Sequence, residues 1–326
     1  MRATITSIAH YAPPDIYHNA WYEQRLGIAD QWIRQRTGIV ERRIATSGAT
    51  SDLIVPAANE CLKQRGIKAA EIDCIIVSTI TPDHVFPATA AIVQHKLGAT
   101  KAWGFDLSAA CCGFIYGLVA AAKMIEAGAG RYILVCGADK MSAITNFDDS
   151  GTAILFGDAA GVALVEMSSD TELGIHDHLF RMRGEGAGHV LMPAGGSVKP
   201  ASVDTVAKRE HCLVMEGQPV FKAAVAEMAD ISDELLRRNG LTVDDVTWLV
   251  PHQANYRIIE AVAKRLDLGM EKVMVNLDRY GNTSAATIPV CLSEWQEQGK
   301  LQTGDQVILT SFGAGFTSGG VYLRWG

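Results

Sequence analysis

Along the chain, short β-branched runs alternate with stretches whose apolar residues recur at helical spacing. That order predicts an α/β protein with sheets buried on both faces. Ile72–Thr79 (IDCIIVST) is a run of the kind found in central strands. It follows an amphipathic stretch, Leu53–Arg65, and a turn at Gly66. Arg131–Cys136 (RYILVC) and Gly161–Val165 (GVALV) repeat the strand signal, with neighbouring glycines that fit tight turns. Trp103–Leu107 reads as a strand end that turns through small residues into a helix over Gly113–Ala127.

The same order of signals occurs twice. Gly66-Ile67, Glu71-Ile72 and Ile75-Ile76-Val77 resemble Gly240-Leu241, Asp245-Val246 and Leu249-Val250. Leu97-Gly98 with Lys101 likewise resembles Leu268-Gly269 with Lys272. Two similar α/β halves are expected, residues 1–170 and 171–326, joined within the polar, Gly-rich stretch 168–212. Leu97 and Leu268 are 171 residues apart, a spacing that sets Asn282 opposite Cys111. Equivalent loops of the two halves are then expected to meet at one site.

Composition narrows the function. Of the 326 residues 48% are hydrophobic and 20% charged, and the net charge of −7 disfavours a nucleic-acid partner. No apolar run approaches the roughly 20 residues that cross a bilayer. Met1–Tyr11 enters a strand pattern directly, so a cytoplasmic protein without a membrane association is expected. The seven cysteines include no Cys-x-x-Cys pair, which argues against a zinc site or a disulfide framework.

Three segments carry candidate chemistry. Cys111 lies in FDLSAACCGFIYG (Phe105–Gly117), just ahead of the expected helix. It reads either as a nucleophile whose thiolate is favoured by unpaired N–H groups and the helix dipole, or as a buried thiol before a core helix. His252 follows an apolar strand in WLVPHQANYR (Trp248–Arg257). Strand ends are where α/β folds build sites, although a lone histidine is often structural. Asn282, in NLDRYGNTSAATIP (Asn276–Pro289), reads as a turn residue unless its equivalence with Cys111 counts. The glycines of FGDAAG (Phe156–Gly161) and SFGAGFTSGG (Ser311–Gly320) lack a phosphate-loop ending. They are read as letting backbones approach one another or a ligand, with one amide as a candidate oxyanion donor.

Taken together, DQWIRQRTGIVERR (Asp30–Arg43), FDLSAACCGF, ILFGDAAG, GQPVFKAAV (Gly217–Val225), VPHQANYRII, DRYGNTSAATIP and SFGAGFT resemble the thiolase-fold condensing enzymes. Among these they resemble the β-ketoacyl-acyl-carrier-protein synthase III family, over nearly the whole chain. The resemblance implies a thiolase-like, five-layered αβαβα fold of two pseudo-repeated halves, and a homodimer. It implies that Cys111 is the nucleophile, with Cys112 at a variable position of the motif, and that His252 and Asn282 complete a triad. The N–H groups of Cys111 and Ala314 are the implied oxyanion donors. Trp32 and Arg36 resemble residues beside the adenine and phosphates of coenzyme A, and Asn255 one that helps hold pantetheine. Phe86 resembles a residue that lines the acyl pocket from across the dimer. Two positions depart from the family's pattern: Ser150 stands where an arginine often grips coenzyme A, and Ala314 is central in the Gly-rich loop.

The implied activity is decarboxylative condensation of an acyl-coenzyme A starter with malonyl-acyl-carrier protein, through an acyl-cysteine, to initiate fatty acid synthesis. The coenzyme A thioester is a substrate, and no metal or redox cofactor is expected. Arg257, Lys264 and Arg265 fall on one face of the helix expected after His252, and Lys222 is grouped with them as a docking surface for an acidic carrier. The other reading of that face is a solvated one, balanced by Glu260 and Asp267. A specialised condensing enzyme or acyltransferase of secondary metabolism is the alternative activity. A thiol redox sensor accounts for Cys111-Cys112 but not for the His252 and Asn282 loops.

Overall fold

The computed structural model describes residues 1–326. Five strands of the first half, β1 (Ala3–Tyr11), β2 (Cys74–Ser78), β3 (Trp103–Leu107), β4 (Ile133–Lys140) and β5 (Asp158–Met167), form one sheet in the order β1-β5-β4-β2-β3. In the second half, β6 (Gly174–Met182), β7 (Trp248–Pro251), β8 (Gln306–Gly313) and β9 (Thr317–Arg324) run in the order β6-β9-β8-β7. A parallel bridge from Leu249 to Val273 takes the place of β3. The senses of pairing also match: β2 with β4 and β7 with β8 are parallel, β4 with β5 and β8 with β9 antiparallel.

Side-chain alternation along these strands builds the layers. Strand β2 is buried throughout, as a strand covered on both faces must be. Ile75 and Val77 pack with Ile54 and Cys61 of the outer helix α1 (Thr50–Arg65), beside α2 (Thr89–Leu97). Ile76 points the other way, into a core with Phe114 and Leu118 of α3 (Gly113–Glu126). Strand β8 divides in the same manner. Ile308 meets Met228 of α4 (Gly217–Arg238) and Ile259 of α5 (Tyr256–Arg265), while Leu309 joins the central core with Leu292 of α6 (Thr287–Glu297). Helices α3 and α6 thus form a middle layer between the two sheets, and the fold is the five-layered αβαβα arrangement. No helix is long and apolar enough to cross a membrane.

The repeat register differs from the expected one. Ala110 and Ser284 both hold positive φ (46° and 53°), and each opens a one-turn 3₁₀ segment, Ala110–Cys112 and Ser284–Ala286, that runs into α3 and α6. These junctions are 174 residues apart, as are Cys74 and Trp248 at the starts of β2 and β7. The counterpart of Cys111 is therefore Ala285, and Asn282 lies three residues ahead of it. The 171-residue spacing holds only around Leu97 and Leu268. The path from Val273 to Ser284 is longer than that from Trp103 to Ala110, and its extra length carries a helical turn, Leu277–Tyr280, and Asn282.

The stretch between the halves is more than a linker. Its two-residue strands Val190–Leu191 and Val214–Met215 pair antiparallel and form one wall of the cavity described below.

The two halves approach each other closely at glycines. A Cβ on Gly137 of β4 would lie 2.4 Å from the Ala285 carbonyl oxygen, and one on Gly161 of β5 would lie 2.5 Å from Pro289 Cβ. Gly137→Ala is expected to displace the 284–286 turn and cost about 1–3 kcal/mol, the usual penalty of overpacking. Urea unfolding together with a turnover assay checks this; an unchanged midpoint with full activity would contradict the packing described.

Candidate active site

Cys111 lies where the first 3₁₀ turn meets α3, partly exposed to a cavity of about 340 Å³. Of the 26 residues lining it 20 are hydrophobic, so the occupant must be largely apolar. The few polar groups that line it include Cys111, His252, Asn255, Asn282 and Ser284. The Cys111 carbonyl accepts from Ser311 Oγ at 2.9 Å, and its thiol faces Ser284 Oγ at 3.8 Å. Cys112 has no exposed surface and directs its sulfur to the Thr317 carbonyl at 3.5 Å, away from the cavity.

His252 follows β7 directly and is anchored by its N–H to the Thr310 carbonyl at 2.8 Å. It is 3% exposed, and Nδ1 lies 2.7 Å from Thr287 Oγ1. Burial lowers its pKa to about 3, so the ring is neutral. Asn282 is bound through both backbone groups, its N–H to Leu155 O at 2.8 Å and its carbonyl to Gly157 N at 3.1 Å. Its Oδ1 accepts the Ser284 N–H at 2.9 Å, which fixes the amide and leaves the NH₂ end for the cavity.

The thiol is not the thiolate expected from a helix N-terminus. Burial pushes Cys111 up to about 12, and the adjoining Cys112 and the buried Asp139 carboxylate push the same way. Only the Ser284 hydroxyl, the residue's own backbone N–H and the start of α3 favour the anion. The resting site therefore holds a neutral thiol and a neutral imidazole.

At the other side of Cys111, the C-terminal Gly-rich loop closes in. A Cβ on Gly313 would lie 2.8 Å from the Cys111 nitrogen, so no side chain fits there. Ala314 lines the cavity and is not among the residues with positive φ, so its methyl group is accommodated.

Models of 3-oxoacyl-[acyl-carrier-protein] synthase III match residues 105–197, and models of its C-terminal part match residues 236–325. The β-ketoacyl-[acyl-carrier-protein] synthase III of Chlorobaculum tepidum is 51% identical over 328 residues, covering all of both chains. The chain belongs to this family. The crystal structure of 3-oxoacyl-[acyl-carrier-protein] synthase III from Aquifex aeolicus is 37% identical, with a TM-score of 0.91 over 99% of this chain and 100% of that one. A priming β-ketosynthase from a polyketide biosynthetic pathway is 34% identical, with a TM-score of 0.90 over 99% and 96%.

Within this family frame the remaining candidates spread outward from the cavity. The Arg36 guanidinium sits over the exposed Trp32 ring at 5.6 Å. Asn255 caps α5 by accepting the Arg257 N–H at 2.9 Å and donates to the Arg36 carbonyl at 3.0 Å, which ties that rim together. Phe86 is 85% exposed and does not line its own chain's cavity. Lys222, Arg257 and Lys264 are exposed, whereas Arg265 is paired with Asp230 at 2.7 Å.

Three residues of the site escaped sequence reasoning. Ser284 and Asp139 act across the junction of the halves, Thr287 acts on His252 within the second half, and nothing local marks them beyond the small-residue run after Asn282.

Below the pKa of a thiol its anionic fraction rises about tenfold per pH unit. Alkylation of Cys111 by iodoacetamide in the free protein is expected to climb without levelling from about pH 6 to about pH 9. A plateau already reached at neutral pH would show a resting thiolate.

Proposed function

We propose that the protein condenses an acyl-coenzyme A starter with malonyl-acyl-carrier protein, releasing CO₂ and giving 3-oxoacyl-acyl-carrier protein, the step that initiates fatty acid synthesis. The observation that carries this reading is that Cys111, His252 and Asn282, drawn from both halves, line one predominantly apolar cavity.

In the first half-reaction His252 takes the Cys111 proton as sulfur attacks the starter carbonyl. The oxyanion is held by the N–H groups of Cys111 and Ala314, and the proton passes on to the departing coenzyme A sulfur. In the second, the bond from the malonyl methylene to its carboxylate breaks. The charge that builds on the thioester oxygen receives hydrogen bonds from Asn282 Nδ2 and from His252. The carbanion attacks the acyl-cysteine carbonyl, and Cys111 leaves and regains a proton. The first step balances on the starter thioester and the protein's own groups; the second takes up one proton from solvent, which ends on Cys111.

The Trp32–Arg36 pair at the rim supports a place for the adenine end of coenzyme A, with Asn255 between it and the pantetheine arm. Exposed Val85 and Phe86, and Trp103 on the edge strand β3, support a homodimer in which Phe86 of one protomer reaches the cavity of the other. Lys222, Arg257 and Lys264 form the proposed carrier-docking face, Arg265 being engaged by Asp230.

Asn282→Ala is expected to keep acylation of Cys111 but to lower CO₂ release from malonyl-acyl-carrier protein on the order of 10²–10³-fold, the usual cost of one oxyanion donor. Wild-type decarboxylation in that variant would reduce Asn282 to a turn residue. Reversing charge at Arg257 and Lys264 is expected to slow the carrier-dependent step on the order of tenfold at low ionic strength, with acylation by acetyl-coenzyme A unchanged and the deficit shrinking as salt rises. Equal loss in both half-reactions would instead assign these residues to the fold or to the coenzyme A entrance.

A further inference from the structure

The two half-reactions ask opposite things of His252. Proton transfer from Cys111 requires an unprotonated ring nitrogen toward the cavity, whereas stabilising the malonyl enolate requires an N–H there. With a ring this deeply buried and neutral, the difference is one of tautomer, and the tautomer is set by whatever the other nitrogen bonds.

That partner is the Thr287 hydroxyl, on the first turn of α6. Thr287 Oγ1 lies 2.7 Å from His252 Nδ1 and 3.0 Å from the Ser284 carbonyl oxygen. A carbonyl oxygen only accepts, so in this geometry Thr287 gives its single proton to Ser284 O and must accept from His252. Nδ1 therefore carries the proton. Nε2 has no hydrogen-bond partner in the protein and His252 borders the cavity, so the free lone pair is on the side of the substrate. The assignment follows from hydrogen-bond accounting, the only route to a histidine tautomer without visible hydrogens.

We infer that Thr287 is a positioning residue that sets the tautomer of His252: with its hydroxyl turned to Ser284 the ring is poised as the base of acylation, and with its hydroxyl turned to Nδ1 the ring becomes the Nε2–H donor of decarboxylation. This rests on the condensing activity proposed above. In the acylation step the Cys111 S–H bond breaks and its proton joins Nε2. Sulfur bonds to the starter carbonyl carbon, the carbonyl-to-sulfur bond of coenzyme A breaks, and the Nε2 proton goes to the released sulfur. The ring returns to its starting tautomer, and Thr287 keeps its proton throughout. For the second half-reaction the ring exchanges protons with solvent: Nε2 takes one from water that enters the cavity as coenzyme A leaves, Nδ1 gives one up to water, and the Thr287 hydroxyl rotates from Ser284 O toward Nδ1; the exchange reverses after condensation. Ser284 connects this switch to the nucleophile, because its carbonyl serves Thr287 while its hydroxyl faces the Cys111 thiol at 3.8 Å.

The test compares Thr287→Val, which keeps the shape and removes the hydroxyl, with Thr287→Ser, which restores it. Nitrogen-15 NMR of His252 in the free protein reads the tautomer without any catalysis. The wild type and Thr287→Ser are expected to show Nδ1–H. Thr287→Val, with no acceptor for that proton in a buried pocket, is expected to shift to Nε2–H. In the separated assays Thr287→Val should acylate from acetyl-coenzyme A on the order of 10²-fold more slowly, the lower end of what a positioned base contributes, while CO₂ release from malonyl-acyl-carrier protein stays within a few-fold of wild type. A wild-type ring protonated at Nε2, or Thr287→Val losing both half-reactions in equal proportion, would overturn the proposal. The NMR result stands apart from the activity, so a correct tautomer with no condensation would fault the functional reading and leave the Thr287 assignment in place.

Discussion

One buried carboxylate holds the site together. Asp139, at the end of β4, is fully buried and accepts from Thr79 Oγ1 at 2.9 Å, Ile80 N at 2.8 Å, Thr81 Oγ1 at 3.0 Å and Ala285 N at 3.1 Å. The first three partners follow the neighbouring strand β2, and the fourth belongs to the turn that opens α6 in the other half. Burial raises the Asp139 pKa, and these donors work against that shift. An unpaired carboxylate here would be prohibitively costly, so the bond to Ala285 fixes how far the second half's turn stands from the first half's sheet. Gly137, two residues earlier, removes the side chain that would obstruct that approach. Ser284 in its left-handed conformation, Asn282 through its bond to Ser284 N, and Thr287 are all placed by the same turn.

The electrostatics of the cavity follow from how deeply this arrangement buries it. A thiol raised to about 12 beside an imidazole lowered to about 3 is a pair in which neither partner is charged at rest. In the proposed reaction, charge develops only when a thioester carbonyl brings its own oxygen to the backbone N–H groups. An ion pair preformed in the same cavity would carry a large desolvation cost, which the neutral pair avoids. The division of labour proposed for His252 and Asn282 has the same origin. Asn282 is locked as a donor by its bond to Ser284, whereas His252 keeps a partner able to give or accept.

Much of the architecture is legible in the chain because it rests on strand patterning. The unbroken apolar runs CIIVS and ILVC state that both faces of a strand are covered, and the twice-repeated order of signals announces two like halves. Cys111 and His252 stand out because each follows a strand in a motif, whereas Asn282 was singled out by a repeat register that the structure does not keep and by the family resemblance. The register of the repeat was misplaced by three residues because the loop from Val273 to Ser284 is longer than its counterpart, and loop length leaves no periodic signal. The thiolate expectation weighed the start of α3 but not the desolvation supplied by the other half. Asp139, Ser284 and Thr287 were missed for a related reason: a buried aspartate in a strand, a serine with positive φ and a threonine in a small-residue run gain their roles only from tertiary contacts, with Ala285, Cys111 and His252 respectively.

The claim at the centre of this account is that Cys111, and not its neighbour, receives the acyl group in the cavity shared by the two halves. Cys112 has no exposed surface and is turned toward Thr317, so burial alone should keep it unmodified. Incubation with acetyl-coenzyme A, followed by fragmentation of the peptide that contains both cysteines, places the adduct directly. The account predicts a single acetyl group on Cys111, lost on adding malonyl-acyl-carrier protein. An acetyl group on Cys112, or a Cys111 adduct that malonyl-acyl-carrier protein does not discharge, would contradict it.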